Sequence, residues 1–418
     1  MNLNWKKILI ILAFIISVFV LGYLLYYFFL KPSIPVPSTN ININGGGLQP
    51  SGTNVNIPIS GNAGVLPSGN TNSNIPGRPG PAEPGSETPS SVANGGLTEI
   101  KPLTINASYG AALSSDGSGI QYYDKTRGQF YRLTSDGQQT LMSEKIFHEV
   151  EKITWAPGKD EAILEYPDGS NILYNFSGQT QVTLPQHWKD FSFSPQGDRI
   201  VFKSIGTDAE NNWLAVSKAD GSEAQKIEPL GNSDASVYDA WSPNQQIIAM
   251  YTKGKNYDQQ DLFFLGLNNE NFKSVTVNGR NFIGQWSTNG DRLLYSAYSS
   301  TNDYKPMLWI VSASGENIGQ NRHSLGLQTW ADKCTFSGND KVYCAVPKNL
   351  QEGAGIFPKE MDSSPCDIYQ IDLTTGSTSM VAIPAGDHNI NNIAVSQDDR
   401  YLYFTSKDDG KLYQIKLK

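Results

Sequence analysis

Short apolar runs bounded by polar turn residues recur along residues 97–418, each too brief for the three-to-four spacing of an amphipathic helix. The stretch Phe191–Phe202, FSFSPQGDRIVF, shows the pattern: apolar run, Ser-Pro turn, glycine, charge, apolar run. Pro195 presets the second turn position, and Gly197 can take the positive φ that closes a tight hairpin. The flanking runs read as strands. RIVFKS, NILYNF, RLLYSAY and YLYFTS are β-branched and aromatic, and each is bounded by Gly, Asp, Asn or Pro.

The same grammar returns as ITWAPGKDEAIL from Ile153, DAWSPNQQIIAM from Asp239 and GQWSTNGDRLLY from Gly284. Weaker copies begin at Ala111, Cys334 and Ile393. A third strand, a second turn and a fourth strand follow each hairpin, as in NWLAVSKADGSEAQKIEPL, so the unit has four strands. The anchors before the Pro position are Ser114, Ala156, Ser194, Ser242, Ser287, Ser337 and Ser396, with spacings from 38 residues (156 to 194) to 59 (337 to 396). Seven anchors at such spacing predict an all-β, seven-bladed β-propeller of four-stranded antiparallel blades. The last repeat writes only three strands, and LTEIKPLTI, Leu97–Ile105, has no partner of its own. It is expected to supply the missing outer strand and so remove an exposed edge. Large apolar residues precede the anchors: Leu113, Trp155, Phe193, Trp241, Trp286, Phe336 and Val395. Their equivalent placement points to packing between blades and not to a ligand stripe.

Ahead of the repeats the pattern changes twice. Residues 8–30 form an uncharged apolar run that as a helix would measure about 35 Å, enough to cross a bilayer core. A cleaved signal peptide is the rival reading, but the run is too long for an h-region and no A-x-A-like site follows it. Lys6 and Lys7 precede the run, and after Lys31 no basic residue appears until Arg78. That bias predicts an uncleaved anchor in a bacterial cytoplasmic membrane, with residues 1–7 in the cytoplasm and the remainder outside. Residues 31–96 are rich in Pro, Gly, Ser and Asn with few large apolar side chains, and are expected to form a disordered linker.

The hairpin FSFSPQGDRIVF resembles the S-P-D-G-x-x-I-x-F signature of TolB-like, WD-type β-propeller repeats. The resemblance covers residues 97–418 and is good in the copies at 191, 239 and 284 and loose in those at 331 and 391. It implies a fold; relatives include docking scaffolds, propeller-type lyases and peptidase gating domains. Unlike the peptidase arrangement, no hydrolase domain is expected after the repeats.

Candidate chemistry is sparse. The chain carries a net charge of −8 with no basic cluster in residues 97–418, which argues against nucleic acid as a partner. It has no G-x-S-x-G, no H-E-x-x-H and no Ca-loop motif, so neither catalysis nor a cofactor is expected. His148, His187 and His388 precede their anchors in loops that converge on one face of a propeller. They read either as solvent-exposed loop residues or, by resemblance to metal-dependent lyases, as a channel-mouth metal set; no metal is assigned. Cys334 and Cys344 flank the turn SGND nearly symmetrically and are expected to form a disulfide, with Cys366 free or competing for Cys344. Buried thiols are the alternative.

The long loops KSIGTDAENN, TKGKNYDQQ, YSSTNDYKP and VPKNLQEGAGIFPKEMDSSP gather on the same face as the histidines. Trp188, Tyr238, Tyr257, Tyr304 and Trp330 lie in or beside the loops of that face and form the expected binding surface. The function expected is a membrane-tethered docking or recognition module that binds a cell-envelope protein. The alternative is a carbohydrate-binding or polysaccharide-lyase-like propeller using that face.

Overall fold

The structure, a computed structural model, describes residues 18–21 and 88–418. Most of the apolar run 8–30 and residues 31–87 of the segment 31–96 lie outside the described residues, and among those described no helix is long and apolar enough to cross a membrane.

Seven antiparallel sheets follow one another along residues 108–416, each built inner strand to outer strand. Their inner strands are Ser108–Leu113, Lys152–Trp155, Trp188–Phe193, Val237–Asp239, Arg280–Trp286, Cys334–Ser337 and Ile390–Val395, which number blades one to seven. The order within each sheet is that of a propeller blade, so the architecture is the one expected.

The anchor serines explain why the hairpin repeats. Ser194 Oγ donates to Asp198 Oδ1 at 2.7 Å and accepts from the Arg199 N–H at 3.1 Å, so one hydroxyl ties both ends of the turn. Ser114, Ser242, Ser287 and Ser396 accept from the N–H five residues on at 3.0, 3.0, 3.1 and 3.0 Å. All five serines are buried, where an unpaired hydroxyl would be costly, and Gly197 takes φ +64° as the turn requires.

Tryptophans before the anchors join neighbouring blades. The Trp155 indole donates to the Gly110 carbonyl of blade one at 2.8 Å, and Trp286 donates to the Ala240 carbonyl of blade four at 3.0 Å. Trp155 lies 5.7 Å from Phe130 of blade one, edge to face. These positions pack the ring together, as their equivalence in the sequence implied.

Closure differs in detail from the expectation. Lys101–Pro102 pairs antiparallel with Leu412–Lys416 and completes blade seven, but Leu97–Thr98 pairs parallel with Ser377–Pro384 as a fifth strand of blade six. Leu97–Ile105 is therefore two short strands on two blades, and Ile105 is exposed. Order also begins earlier than residue 97. Ala93 N–H donates to Lys416 O at 2.9 Å and Gly95 N–H to Val381 O at 2.8 Å, so the last residues assigned to the linker belong to the propeller. The physical reason is backbone satisfaction: two sheet edges stand side by side at the seam, and the segment serves both.

Cys334 and Cys344 face each other in register, with Cα atoms 4.0 Å apart, and are joined by a disulfide. Cys366 is buried and free; it stands opposite Pro347, whereas Tyr369 stands opposite Cys344. Three residues along a strand is about 10 Å, beyond the reach of a disulfide, so Cys366 does not compete. Replacing both bonded cysteines (Cys334→Ala with Cys344→Ala) is expected to lower stability by about 2 kcal/mol, read as a shift in urea midpoint. An unchanged midpoint would show that the hairpin needs no crosslink.

Candidate functional site

Strand-connecting loops at one end of the blades form the face where the sequence placed recognition. In blade four a two-residue turn, Tyr257-Asp258, joins strands Ala249–Asn256 and Gln259–Leu265, and Tyr257 at its tip is 97% exposed. The Asp258 carboxylate accepts from the Ser300 N–H and hydroxyl at 2.8 and 2.7 Å, bracing the turn against the loop of blade five. These hydrogen bonds hold Asp258 below the ordinary carboxylate range.

The blade-five loop bends through Asp303 and Tyr304, whose φ values of 56° and 53° are left-handed for residues that are not glycine. Two such residues in succession need support, and the long loop of blade six supplies it. Gly353 N–H donates to Asp303 O at 2.9 Å, and Gly355 N–H to Tyr304 O at 2.8 Å. A Cβ at Gly355 would lie 2.4 Å from Tyr298 Cβ, so only glycine allows this approach. Asn281 Nδ2 donates to Gly355 O at 2.9 Å. The two residues that follow, Ile356 and Phe357, are exposed, as is Tyr304. Loops of blades four, five and six thus carry Tyr257, Tyr304, Ile356 and Phe357 on a mutually braced surface, beside a cavity of ≈ 470 Å³ lined by Tyr257, Asn278 and Thr301.

The far end of the blade-six loop is tied down by buried charge. Pro358–Met361 is a single helical turn, and Asp362 after it is buried with Lys333. The Lys333 ammonium lies 2.8 Å from Asp362 Oδ1, off the hydrogen-bonding direction, so this contact is an ion pair. Lys333 also donates to Asn389 Oδ1 at 3.1 Å and Ile390 O at 2.6 Å, while Lys407 of blade seven pairs with Asp362 Oδ2. Blades six and seven and the long loop therefore share one buried salt-bridge network.

The residues expected to form the binding surface divide. Tyr257 and Tyr304 are exposed on the ridge just described. Tyr238 is half-buried, its ring 5.4 Å from that of Phe282, edge on. Trp188 and Trp330 do not present a contact surface. Trp188 is buried and stacked 3.7 Å from Phe202, because the inner strand of blade three begins at that residue and turns its ring onto the neighbouring strand. Trp330 is buried beneath the start of blade six, with the Lys333 ammonium 5.7 Å over its ring.

His148 and His187 are exposed; His388 is half-buried, with Nδ1 3.2 Å from Ser406 Oγ and its ring 4.7 Å from that of Tyr413. Among the described residues no group of three or more His, Cys, Asp or Glu side chains could hold a metal ion. The network of Lys333, Asp362, Asn389 and Lys407 was not singled out in the sequence, where its members are scattered and carry no motif. Phe357 was readable only as one aromatic within a long loop.

No protein-family model matches the chain, and no curated protein matches it. Among solved structures it is similar to an oligogalacturonate lyase in complex with manganese, at 14% identity over 76% of this chain and 93% of that one, with a TM-score of 0.51. It is also similar to the β-propeller domain of Cps50 (Swd1) from Myceliophteria thermophila, at 9% identity over 76% and 100% of the two chains and a TM-score of 0.51. A streptogramin B lyase is a third, at 9% identity over 76% and 97%, with a TM-score of 0.50. At such identities the likeness is one of fold, and the fold is the seven-bladed propeller.

Proposed function

We propose that the protein is a docking scaffold of the TolB-like kind, held outside a bacterial cytoplasmic membrane by residues 8–30, that presents the loop face of blades four to six to another protein of the cell envelope. The observation that carries this reading is the ridge of Tyr257, Tyr304, Ile356 and Phe357, exposed apolar side chains on loops locked to one another by hydrogen bonds. Rigid aromatic anchors give large contact area at little entropic cost, which is what protein partners use as hot spots. The uncharged run 8–30 and the Cys334–Cys344 disulfide support an anchored, extracytoplasmic setting.

The test is crosslinking in intact cells from a photoreactive residue at position 257, followed by identification of the attached species. Combining Tyr257→Ala, Tyr304→Ala and Phe357→Ala is expected to weaken capture by about 30-fold or more, while Tm falls by no more than about 3 °C. The control is Gln196→Lys, at an exposed turn on the opposite face. A loss of capture by the control and not by the triple variant would move the working surface to the other face. Recovery of a polysaccharide in place of a protein would replace docking with saccharide recognition.

A further inference from the structure

Blade four ends in an outer strand, Val275–Asn278, whose far edge is unpaired. Its sequence, VTVN, carries no charge, proline or glycine. Other outer edges are guarded: in blade three Gln225–Pro229 carries Lys226, Glu228 and Pro229, and blades six and seven are capped by Leu97–Thr98 and Lys101–Pro102. Such guards keep a sheet from pairing with another chain, and blade four lacks them.

Register fixes which backbone groups of this strand point outward. Gly279 N–H donates to Asp258 O at 2.7 Å, and from there Val277 stands opposite Gln260 and Val275 opposite Leu262. Residues that exchange hydrogen bonds alternate along an antiparallel ladder, so Val275 and Val277 bond inward while Thr276 and Asn278 turn their N–H and C=O outward. Among the described residues no other backbone group bonds to them.

The edge leads into a cavity. Asn278 lines the ≈ 470 Å³ space beside Tyr257, where carboxamides form a relay. Asp258 N–H donates to Asn256 Oδ1 at 2.9 Å, Asn256 Nδ2 donates to Gln259 Oε1 at 3.1 Å, and Gln259 Nε2 lies 3.5 Å from Asn278 Oδ1. Each amide oxygen faces the donor before it, which orients the groups and leaves the Asn278 amide nitrogen at the open end. The one charge in the lining, Asp258, is spent on Ser300. Primary amides both donate and accept, which suits a peptide group and offers an ionised ligand no counter-charge. A sugar would meet the amides alone, whereas a polypeptide backbone also matches the strand edge that leads to them.

We propose that the partner is held by an extended, uncharged peptide segment, which adds to the edge of blade four at Thr276 and Asn278 and runs on into the amide cavity, with an apolar side chain against Tyr257. The inference rests on the docking reading and names the element that the partner supplies. Strand addition takes its affinity from main-chain hydrogen bonds and its selectivity from the side-chain sites alongside, here the relay and Tyr257.

The test places a photoreactive residue at position 257 or at exposed position 274 of the full chain in intact cells, and maps the attachment points on what is captured. Both positions are expected to mark one protein, within a stretch of about ten residues, which extended would span about 34 Å. That stretch, made as a synthetic peptide with blocked ends, is expected to bind the purified full chain in calorimetry. Thr276→Pro removes an outward N–H and keeps the inward pairing, since proline is tolerated on a strand edge, and should weaken the peptide by about tenfold or more. Thr276→Val keeps that N–H and loses only the hydroxyl bond to Asp261 Oδ1 at 2.7 Å, so binding should stay within about twofold. Asn278→Ala leaves the main chain alone and should cost about fivefold, a reading that stands even where the proline variant fails to fold.

Attachment from 257 but not from 274, marks that fall on different proteins or outside one such stretch, or full binding by folded Thr276→Pro or Asn278→Ala would overturn the inference and leave the docking reading in place. Capture of no protein from either position would overturn both.

Discussion

Deleting residues 90–105 lowers the thermal transition of the propeller by about 10 °C or more, whereas deleting residues 38–80 leaves it where it is. The expected loss follows from what the segment completes. It supplies the outer strand of blade seven and the fifth strand of blade six, and it satisfies backbone groups of Val381, Ile383, Ala385, Leu412 and Lys416. Thr104 Oγ1 also accepts from the buried Leu412 N–H at 3.0 Å. Each such bond is worth about 1 kcal/mol net, and several are lost together. The strand Leu412–Lys416, otherwise buried for most of its length, would become an open edge. Calorimetry on the two deletions is the measurement, with light scattering to detect edge-to-edge association. Equal transitions for the two would show that the ring closes without this segment.

Lys333→Met is expected to cost about 3 kcal/mol, the lower end for breaking a buried ion pair, because one of the two cations on Asp362 remains. Asp362 would keep Lys407 but lose Lys333, and Asn389 Oδ1 and Ile390 O would lose a donor. Combining Lys333→Met with Asp362→Leu should recover part of the loss, because both charges leave the interior together. Urea denaturation of the two single variants and the double variant gives the coupling directly. Losses that simply add would mean that the pair is independent and that the blade-six loop is held by its other contacts.

Some of this was legible in the residues and some was not, for physical reasons. The seven hairpins could be read because their turns draw on one small set of local devices, an anchor serine in six, a proline in three and a glycine in five. The disulfide could be read because SGND is a turn and register follows from a turn. Closure could be read only as far as the need for an outer strand, since nothing local in LTEIKPLTI says that its two halves serve different sheets. Loop membership of Trp188 and Tyr257 was equally visible, but their fates are opposite. Trp188 meets Phe202 across the same blade, and Tyr257 sits on a turn with nothing above it. That difference belongs to packing and leaves no mark in a one-dimensional pattern.

The double attachment at the seam also has a mechanical side. A pull arriving through residues ahead of Ser90 passes from that residue's bonds with Leu97 and Glu99 to contacts from Ala93 to Lys416 and from Gly95 to Val381, which lie on different blades. Tension is thus shared between two neighbouring sheets before it can reach Ser108, where blade one begins. A leash fastened across the joint tends to draw the joint shut, whereas one fastened to the first blade alone would peel that blade from the ring.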